Sequence, residues 1–359
     1  MSAVLEHSPP PLFEVPPERE AAEPAEARGL DRDDVRLMVA YRHGERLVHA
    51  RFRDLPRFLR RGDLLVLNTS RTLPAAVPAS TPEGDRLELH LSTRLPDGSW
   101  LVELRRPQGP ASVPFRAARA GQRILLPAGG SARLASPFEP DGGSEDGPVH
   151  RLWLAEVRLP EKLVAYLARH GQPIRYSHVR ASWPLSTYQT VYSDEPGSAE
   201  MPSAGRAFTP ELLTRLMAAG VVIAPILLHT GVSSQEEDEP PYPEFFRVPD
   251  VTARLVNAAR EWGGRVVAIG TTVVRALEAA ADESGVVAPR EGWTDLMVTP
   301  ERGIRAVDGL LTGWHSRASS HLLLLEAVAG RALLEASYRA AIRGRYLWHE
   351  FGDLHLVLP

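Results

Sequence analysis

Four polar clusters in this sequence carry side chains able to do chemistry: Asn68 to Arg71, Tyr188 to Thr209, His229 to Gly231 and Thr312 to Ser320. His229 and His315 bring imidazoles, whose ordinary pKa near 6.5 lets them exchange protons at neutral pH. Arg71 and Arg275 are suited to a carboxylate or phosphate, and Tyr188, Tyr192, Phe208 and Trp314 offer aromatic faces to a base or a cation. In Val266 to Ala280, VVAIGTTVVRALEAA, an apolar run ends in Gly-Thr-Thr and passes into a helical pattern. Thr271 and Thr272 would then supply hydroxyls and unpaired N–H groups to an anionic or hydroxylated ligand, one of them as the helix N-cap. Each residue also has a plainer role: a loop histidine bonding its surroundings, an aromatic in the core, Arg275 paired with Glu278 along one helix face.

Positioning these residues requires strands that end together. Leu64 to Leu67 and Val266 to Ile269 read as buried strands, the first ending at Asn68. Val35 to Val48 reads as a hairpin around His43 and Gly44, and Asp54 to Arg60 as a short helix. From Val77 to Val157 short alternating runs such as Leu87-Glu88-Leu89-His90-Leu91 imply a small antiparallel barrel or sandwich. Helical periodicity returns at Pro160 to His170, with Gly171 as its stop. Helices over Glu211 to Ala219, Val251 to Trp262, Thr272 to Asp282, Ser319 to Ala329 and Glu335 to Arg343 then accompany strands over Val221 to His229, Val266 to Ile269 and Leu296 to Val298. This alternation predicts an α/β fold: a mixed, largely parallel sheet with flanking helices, formed by residues 1–76 and 158–359, interrupted by an inserted antiparallel β-barrel over 77–157. Open sheets of this kind bind ligands at the carboxyl ends of their strands.

Composition narrows the classes. With 359 residues and 43% hydrophobic content the chain can bury one large core or two smaller ones. It has no cysteine, which removes disulfides, thiolate nucleophiles and Cys-ligated metal centres. The 12 histidines are scattered without an HExxH pattern, so no metal is expected. There is no signal-like leader and no apolar span of about 18 residues, which predicts a cytoplasmic protein without membrane contact, taken as a monomer. The net charge of −4 offers no general attraction to phosphate backbones. The Arg51, Arg53, Arg57, Arg60 and Arg61 cluster reads as a solvated face.

The segments FRDLPRFLRRGDLLVLNTSRTLPA, YQTVY, PSAGRAFTPELL, ILLHTG, VVAIGTTVVRALEAA, LLTGWHSRASSHLLLLEAVAG and FGDLHLVL resemble, in order and spacing, the S-adenosylmethionine:tRNA ribosyltransferase-isomerase family of queuosine biosynthesis. The resemblance implies a mixed α/β domain interrupted by a small β-barrel. It also implies S-adenosylmethionine as co-substrate without metal, and transfer of its ribosyl part to the aminomethyl group of a 7-deazaguanine base in tRNA. There it is isomerised to an epoxycyclopentane, with release of adenine and methionine. A sulfonium acidifies the adjacent C5′ proton, so such a site needs a base, a cradle for the cation and stabilisation of developing charge. Carried onto this sequence, the motifs nominate His229, His315 and Glu244 as catalytic. They nominate Asn68, Arg71, Tyr188, Gln189, Tyr192, Ser203, Gly205, Phe208, Thr271, Thr272, Arg275 and Trp314 as substrate-binding.

The sequence departs from the family pattern at its most polar positions. The loop close to PTAGLHFT has Ala207 in place of histidine. The His-x-Met-His-x-Glu pattern has Tyr242 for its second histidine and keeps Glu244. TNFHLPxST becomes Thr312 to Ser320, with His315 kept but not the asparagine or the proline. An acidic run, Glu236 to Glu239, stands beside the expected site and would repel phosphate. Two alternatives follow: a diverged paralogue using S-adenosylmethionine or a related nucleoside with a small-molecule acceptor, or a noncatalytic nucleoside-binding protein. All readings share the expectation that Asn68, Tyr188, His229, Thr271 and His315 surround one nucleoside-sized hollow.

Overall fold

The computed structural model describes residues 16–109, 111–138, 150–232, 241–315 and 321–359. Strands β1 (Arg36–Tyr41), β2 (Arg46–Arg51), β3 (Leu64–Asn68) and β4 (Ser70–Thr72) come first. The barrel strands β5 (Ala76–Ser80), β6 (Arg86–Arg94), β7 (Trp100–Gln108), β8 (Ala111–Pro114), β9 (Arg123–Leu125), β10 (Ser131–Pro137) and β11 (Leu152–Arg158) follow. Then come α1 (Leu163–His170), β12 (Glu195–Ser198), α2 (Pro210–Ala218), β13 (Val222–Leu228), β14 (Glu244–Val248), α3 (Asp250–Glu261), β15 (Val266–Ile269), α4 (Thr271–Ala280), β16 (Arg290–Thr294) and β17 (Gly309–Gly313). The chain closes with α5 (His321–Ala329), α6 (Arg331–Arg343) and β18 (Leu354–Leu358).

The strands that read as continuous apolar runs form the middle of the main sheet, whose order is β16-β14-β13-β3-β15-β17-β18-β1-β2. Leu64 and Val66 of β3 point into one core with α3, α4, α5 and α6, whereas Leu65 and Leu67 point into a second core with Phe52, Phe208, Leu212 and Leu216. Burial on both faces explains the absence of polar alternation in these strands. The expected parallel arrangement holds for β13, β3, β15 and β17. The flanks differ: β14 and β16 pair antiparallel on one side, β2 joins β1 through a hairpin on the other, and β18 is antiparallel to β17 but parallel to β1. A hairpin connection can only deliver an antiparallel neighbour.

The second sheet closes as a barrel in the order β11-β10-β9-β5-β6-β7, with β11 returning to β7 and β8 extending from β7. Leu87, Leu89 and Leu91 of β6 fill its core, as their alternation predicts. On the opposite face of the same ladder His90 stands across from Glu103 and Glu88 from Arg105. Glu103 is fully buried and takes guanidinium bonds from Arg105 and from Arg151, the latter at 3.0 Å.

Three local expectations are corrected. The helix expected over Asp54 to Arg60 is a 3-10 turn at Phe52–Arg57 containing Pro56, which has no N–H to continue an α-helical ladder. Leu296 to Val298 is not a strand; the sheet is entered instead by β16 and β17 on either side of it. Neither Thr271 nor Thr272 caps α4: the N-cap is Gly270, at φ 97°, a left-handed conformation that glycine adopts without a Cβ clash, so the two threonines are the first helical residues. By contrast Thr209 does cap α2, accepting from Leu212 N at 3.1 Å with Pro210 behind it. Among the described residues no helix is long and apolar enough to cross a membrane.

His355 sits in the middle of β18, between Met38 and Thr312 of its neighbours, and is fully buried. Its ring stacks on Trp314 at 4.6 Å, and neither ring nitrogen has a hydrogen-bond partner among the described residues. Burial drives its pKa down to about 3. The folded chain therefore refuses a proton that the unfolded chain accepts near pH 6.5, and stability drains away as pH falls from there toward the folded value. His355→Leu should remove this loss. In urea titrations the variant should gain on the parent as pH drops, by about 2 kcal/mol near pH 5; an unchanged gap between pH 7 and pH 5 would refute the assignment.

Candidate active site at the carboxyl ends of the parallel strands

β13, β3 and β15 end side by side, and Asn68, the last residue of β3, locks this edge. Its Nδ2 donates to Leu228 O at 2.8 Å and to Thr272 Oγ1 at 3.3 Å. Its Oδ1 accepts from Leu228 N at 3.0 Å and from Ser70 N at 3.1 Å. A buried side-chain amide thus continues the ladder after the backbone has diverged, and ties α4 to two strands.

One turn into α4, Arg275 reaches three acceptors: the Glu244 carboxylate at the start of β14, Leu296 O at 3.2 Å and Thr294 O at 3.1 Å. The other oxygen of Glu244 accepts from Gly231 N at 2.8 Å. Arg275 therefore pairs across the structure and not with Glu278, which is buried and holds Arg302 at 2.7 Å. The Glu244–Arg275 pair forms the polar base of a cleft walled by Thr230 to Val232, Tyr242, Thr271, Thr272, Leu296 to Val298, His321 and Leu324. The cleft encloses about 710 Å³ of empty space with its open mouth included. Tyr242 fastens the barrel to this wall: its hydroxyl accepts from Ser92 Oγ of β6 at 3.0 Å and donates to Val232 O. Burial, with the Glu244 carboxylate nearby, holds its phenol well above the ordinary tyrosine range.

The imidazoles divide. His229 turns away from the cleft: Nδ1 bonds Ser70 Oγ at 2.8 Å, the ring lies 5.7 Å from Phe245, and its other side rests on Gly197, where a Cβ would come within 2.3 Å of the ring. Burial lowers its pKa. His315 lies one layer back, with Nε2 bonded to Thr312 Oγ1 at 2.9 Å and its ring stacked 4.5 Å from His321 at an interplanar angle of 3°. Burial, then the charges that His321 and His349 would carry, keep it well below the ordinary histidine range. His321 itself lines the cleft, and burial with the Arg275 cation sets its pKa at about 4.

Of the residues nominated from sequence, Glu244, Thr271, Thr272 and Arg275 line the cleft, and Asn68 touches it through Thr272. The others do not line it. Tyr188 lies in a separate cluster, 5.3 Å from Phe351, its phenol raised to about 12 chiefly by burial. Gln189 pairs its amide with both backbone groups of Thr72, at 3.0 and 2.8 Å, and Arg71 reaches Ser193 O at 3.2 Å. Ser203 and Gly205 belong to one 3-10 turn; Tyr192 packs over Gly205 and against Phe208, which in turn meets Phe52 edge-on at 5.0 Å. Trp314 is core, 5.1 Å from Tyr338 and 5.4 Å from Trp348. Tyr188, His229 and His315 therefore do not line the hollow expected for them. The acidic run Glu236 to Glu239 and Ser316 to Ser320 lie outside the described residues.

Sequence reasoning missed His321. It follows the Thr312 to Ser320 cluster directly, but the leucines at 322 to 325 make the segment read as core helix. It also missed Glu20, His178 and His349, which place ligand-type atoms within 4.8 Å of one another. The two rings stack at 4.3 Å and 16°, so their in-plane lone pairs run side by side and do not converge on a cation. His178 instead bonds Glu350 at 2.9 Å; burial alone would lower its pKa, but the carboxylate outweighs it and raises the value.

A family model described as queuosine biosynthesis protein matches residues 12–357. The chain belongs to this queuosine biosynthesis family. It is 38% identical over 353 residues to the S-adenosylmethionine:tRNA ribosyltransferase-isomerase of Thermus thermophilus, covering 96% of this chain and 98% of the relative. It is 38% identical over 355 residues to the protein of the same name from Symbiobacterium thermophilum, with the same coverage. A crystal structure of the S-adenosylmethionine tRNA ribosyltransferase from Thermotoga maritima matches with a TM-score of 0.52 at 31% identity, over 96% of this chain and 99% of that one. Against the queuosine biosynthesis pattern, the departures have structural consequences. Ala207 is buried in the core beside Phe208, and Arg206, its neighbour, is held by Thr187 O at 3.0 Å and by Glu26 at 2.9 Å. Tyr242 replaces an exchangeable imidazole proton by a fixed phenolic one.

The Glu244–Arg275 pair supplies a direct test of this geometry. Arg275→Met should strand the buried Glu244 carboxylate and cost about 3–5 kcal/mol in chemical denaturation, and adding Glu244→Gln should restore part of that loss. Equal stability of Arg275→Met and the parent would show that the pair does not hold the cleft together.

Proposed function

We propose that the chain is an S-adenosylmethionine:tRNA ribosyltransferase-isomerase. It moves the ribosyl part of S-adenosylmethionine onto the aminomethyl group of a 7-deazaguanine base in tRNA, isomerises it and releases adenine and methionine. The observation that carries this reading is the end-to-end likeness to relatives of that name, in a chain whose cleft stands at the carboxyl ends of its parallel strands. The cleft suits the co-substrate. Arg275 is neutralised by Glu244, and the imidazoles of His315 and His321 are held uncharged by burial, so among the described residues of the cleft no free cation opposes a sulfonium. Thr271 and Thr272, which begin α4, line the cleft, and the N-terminus of a helix favours a carboxylate. Glu244 orients Arg275 and the Gly231 loop, and His315 supports His321 from behind.

A second reading, the same chemistry on a small-molecule acceptor, is favoured by Tyr242 and Ala207 standing where the family pattern has imidazoles. One assay separates the two. The protein is incubated with S-adenosylmethionine and tRNA bearing the aminomethyl-7-deazaguanine base, and adenine and methionine are followed by chromatography. Stoichiometric adenine release that depends on this tRNA is expected. Release on adding the free aminomethyl-7-deazaguanine base in place of tRNA would favour the small acceptor, and no release with either acceptor would reject the transferase.

A further inference from the structure

The arginines clustered from Arg51 to Arg61 divide into two groups when the chain folds. Arg51 donates to Asp34 O, and Arg53 pairs with Asp31 at 3.4 Å and with Asp34, so both are engaged with the N-terminal segment. The side chains of Arg57 and Arg60 stay 75% and 62% exposed. Their nearest carboxylates hold them loosely: Asp54 is 3.9 Å from Arg57, and Asp63, 3.5 Å from Arg60, is already bonded by Arg265. Arg61 is exposed and, among the described residues, forms no ion pair.

Tertiary contacts enlarge this group into a patch. Gly62 N donates to Gly220 O at 2.9 Å, which sets Arg61 against the end of α2 and its exposed Arg215 and Met217. Trp262, at the end of α3, donates from Nε1 to Gly62 O at 2.7 Å and remains nearly half exposed. Arg57, Arg60, Arg61 and Arg215 thus surround two exposed apolar side chains, Met217 and Trp262, with Glu261 exposed beside them.

The patch lies at the amino ends of β3, β13 and β15, and the cleft at their carboxyl ends. β3 alone separates the two by about 13 Å, more than the Debye length of about 8 Å at physiological ionic strength. A polyanion is attracted by loosely paired cations, and a sulfonium is opposed by them, so the two demands are compatible when they are met this far apart. A fixed, exposed indole among arginines matches RNA, which is held by phosphate contacts and by stacking of its unpaired bases. A second copy of the chain docking on itself here would bring the same arginines face to face.

We propose that this patch is an RNA-docking surface distinct from the cleft, holding the phosphate backbone of tRNA through its arginines while Trp262 stacks on an unpaired base. The assignment rests on the functional reading above, with tRNA as acceptor. Because patch and cleft stand at opposite ends of the same strands, the tRNA meets the patch with a part other than the loop whose base enters the cleft.

Binding to the full chain is measured with tRNA bearing the aminomethyl-7-deazaguanine base and with an RNA hairpin of its anticodon stem and loop, each at several sodium chloride concentrations. The parent should bind the tRNA about ten-fold more tightly than the hairpin. Arg57→Gln, Arg60→Gln and Arg61→Gln combined should abolish that advantage and lower the slope of log affinity against log salt by about 2 to 3. Its melting temperature and its affinity for the hairpin should match the parent's. Trp262→Ala should bind tRNA roughly five-fold more weakly with the salt slope unchanged, and Trp262→Phe should recover most of that loss. Unchanged tRNA affinity and slope in the triple variant would overturn the surface and leave the functional reading intact. Equal losses for tRNA and hairpin would also overturn it, placing the arginines against the loop. A parent dimer in sedimentation that the triple variant dissolves, with tRNA affinity unchanged, would assign the patch to a second copy and overturn it likewise. Failure of the parent to bind this tRNA or to release adenine with it would instead overturn the functional reading, and the assignment with it.

Discussion

The buried pairing of Glu244 with Arg275 is the constraint on which the cleft depends. Arg275 rises from the first turns of α4, Glu244 opens β14, and between them they capture Gly231 N, Thr294 O and Leu296 O. Four segments that leave the sheet in different directions are thereby held at one place. Gly231 and Leu296 lie outside helices and strands, and their backbone groups need polar partners that apolar packing alone cannot supply. Burying two charges is expensive, and the expense is met here by saturating both: the carboxylate accepts on each oxygen and the guanidinium donates from each nitrogen. Asn68 acts in the same manner one step deeper, satisfying β13 and β3 where their ladder ends.

Around this fixed base the imidazoles are kept uncharged by burial. Stacked pairs recur, His315 on His321 and His178 on His349, but their surroundings differ. The first pair has Arg275 nearby and, among the described residues, no carboxylate bonded to either ring, and burial keeps both rings neutral. The second has Glu350 and Glu20 within reach, and His178 is drawn toward the protonated form. The same ring geometry thus gives a neutral polar wall in the cleft and a carboxylate-bonded imidazole with a raised pKa at the meeting of the N-terminal segment with the C-terminal turn. Local carboxylates make the difference.

The parts of the fold that the sequence displays are those governed by short-range periodicity. β15, α2 with its Thr209 cap, α3, and the alternating strands of the barrel are readable because their burial pattern repeats every two or 3.6 residues. β14, β16 and β17 were not readable: they are short and mix glycine or charged residues, and their strand character comes from neighbours far along the chain. The aromatic residues misled for a related reason. Phe208 and Trp314 sit in polar motifs that suggest ligand contact, yet their large apolar surfaces are worth more buried against Phe52 or Tyr338 than facing an open cleft. His321 was hidden by the opposite effect, a polar side chain inside a leucine run.

The sequence by itself determined the family, the alternation of helices and strands, the inserted barrel and the polar stretches at strand ends, because these follow from the order of residue types along the chain. Which polar side chains share a space is set by the folded arrangement. His229 and Thr230 are adjacent in sequence, yet one bonds Ser70 on the far side of the loop and the other borders the cleft. Glu244 and Arg275 are 31 positions apart and in contact. Side-chain direction at an irregular strand end is set by three-dimensional hydrogen-bond satisfaction, which no one-dimensional pattern encodes.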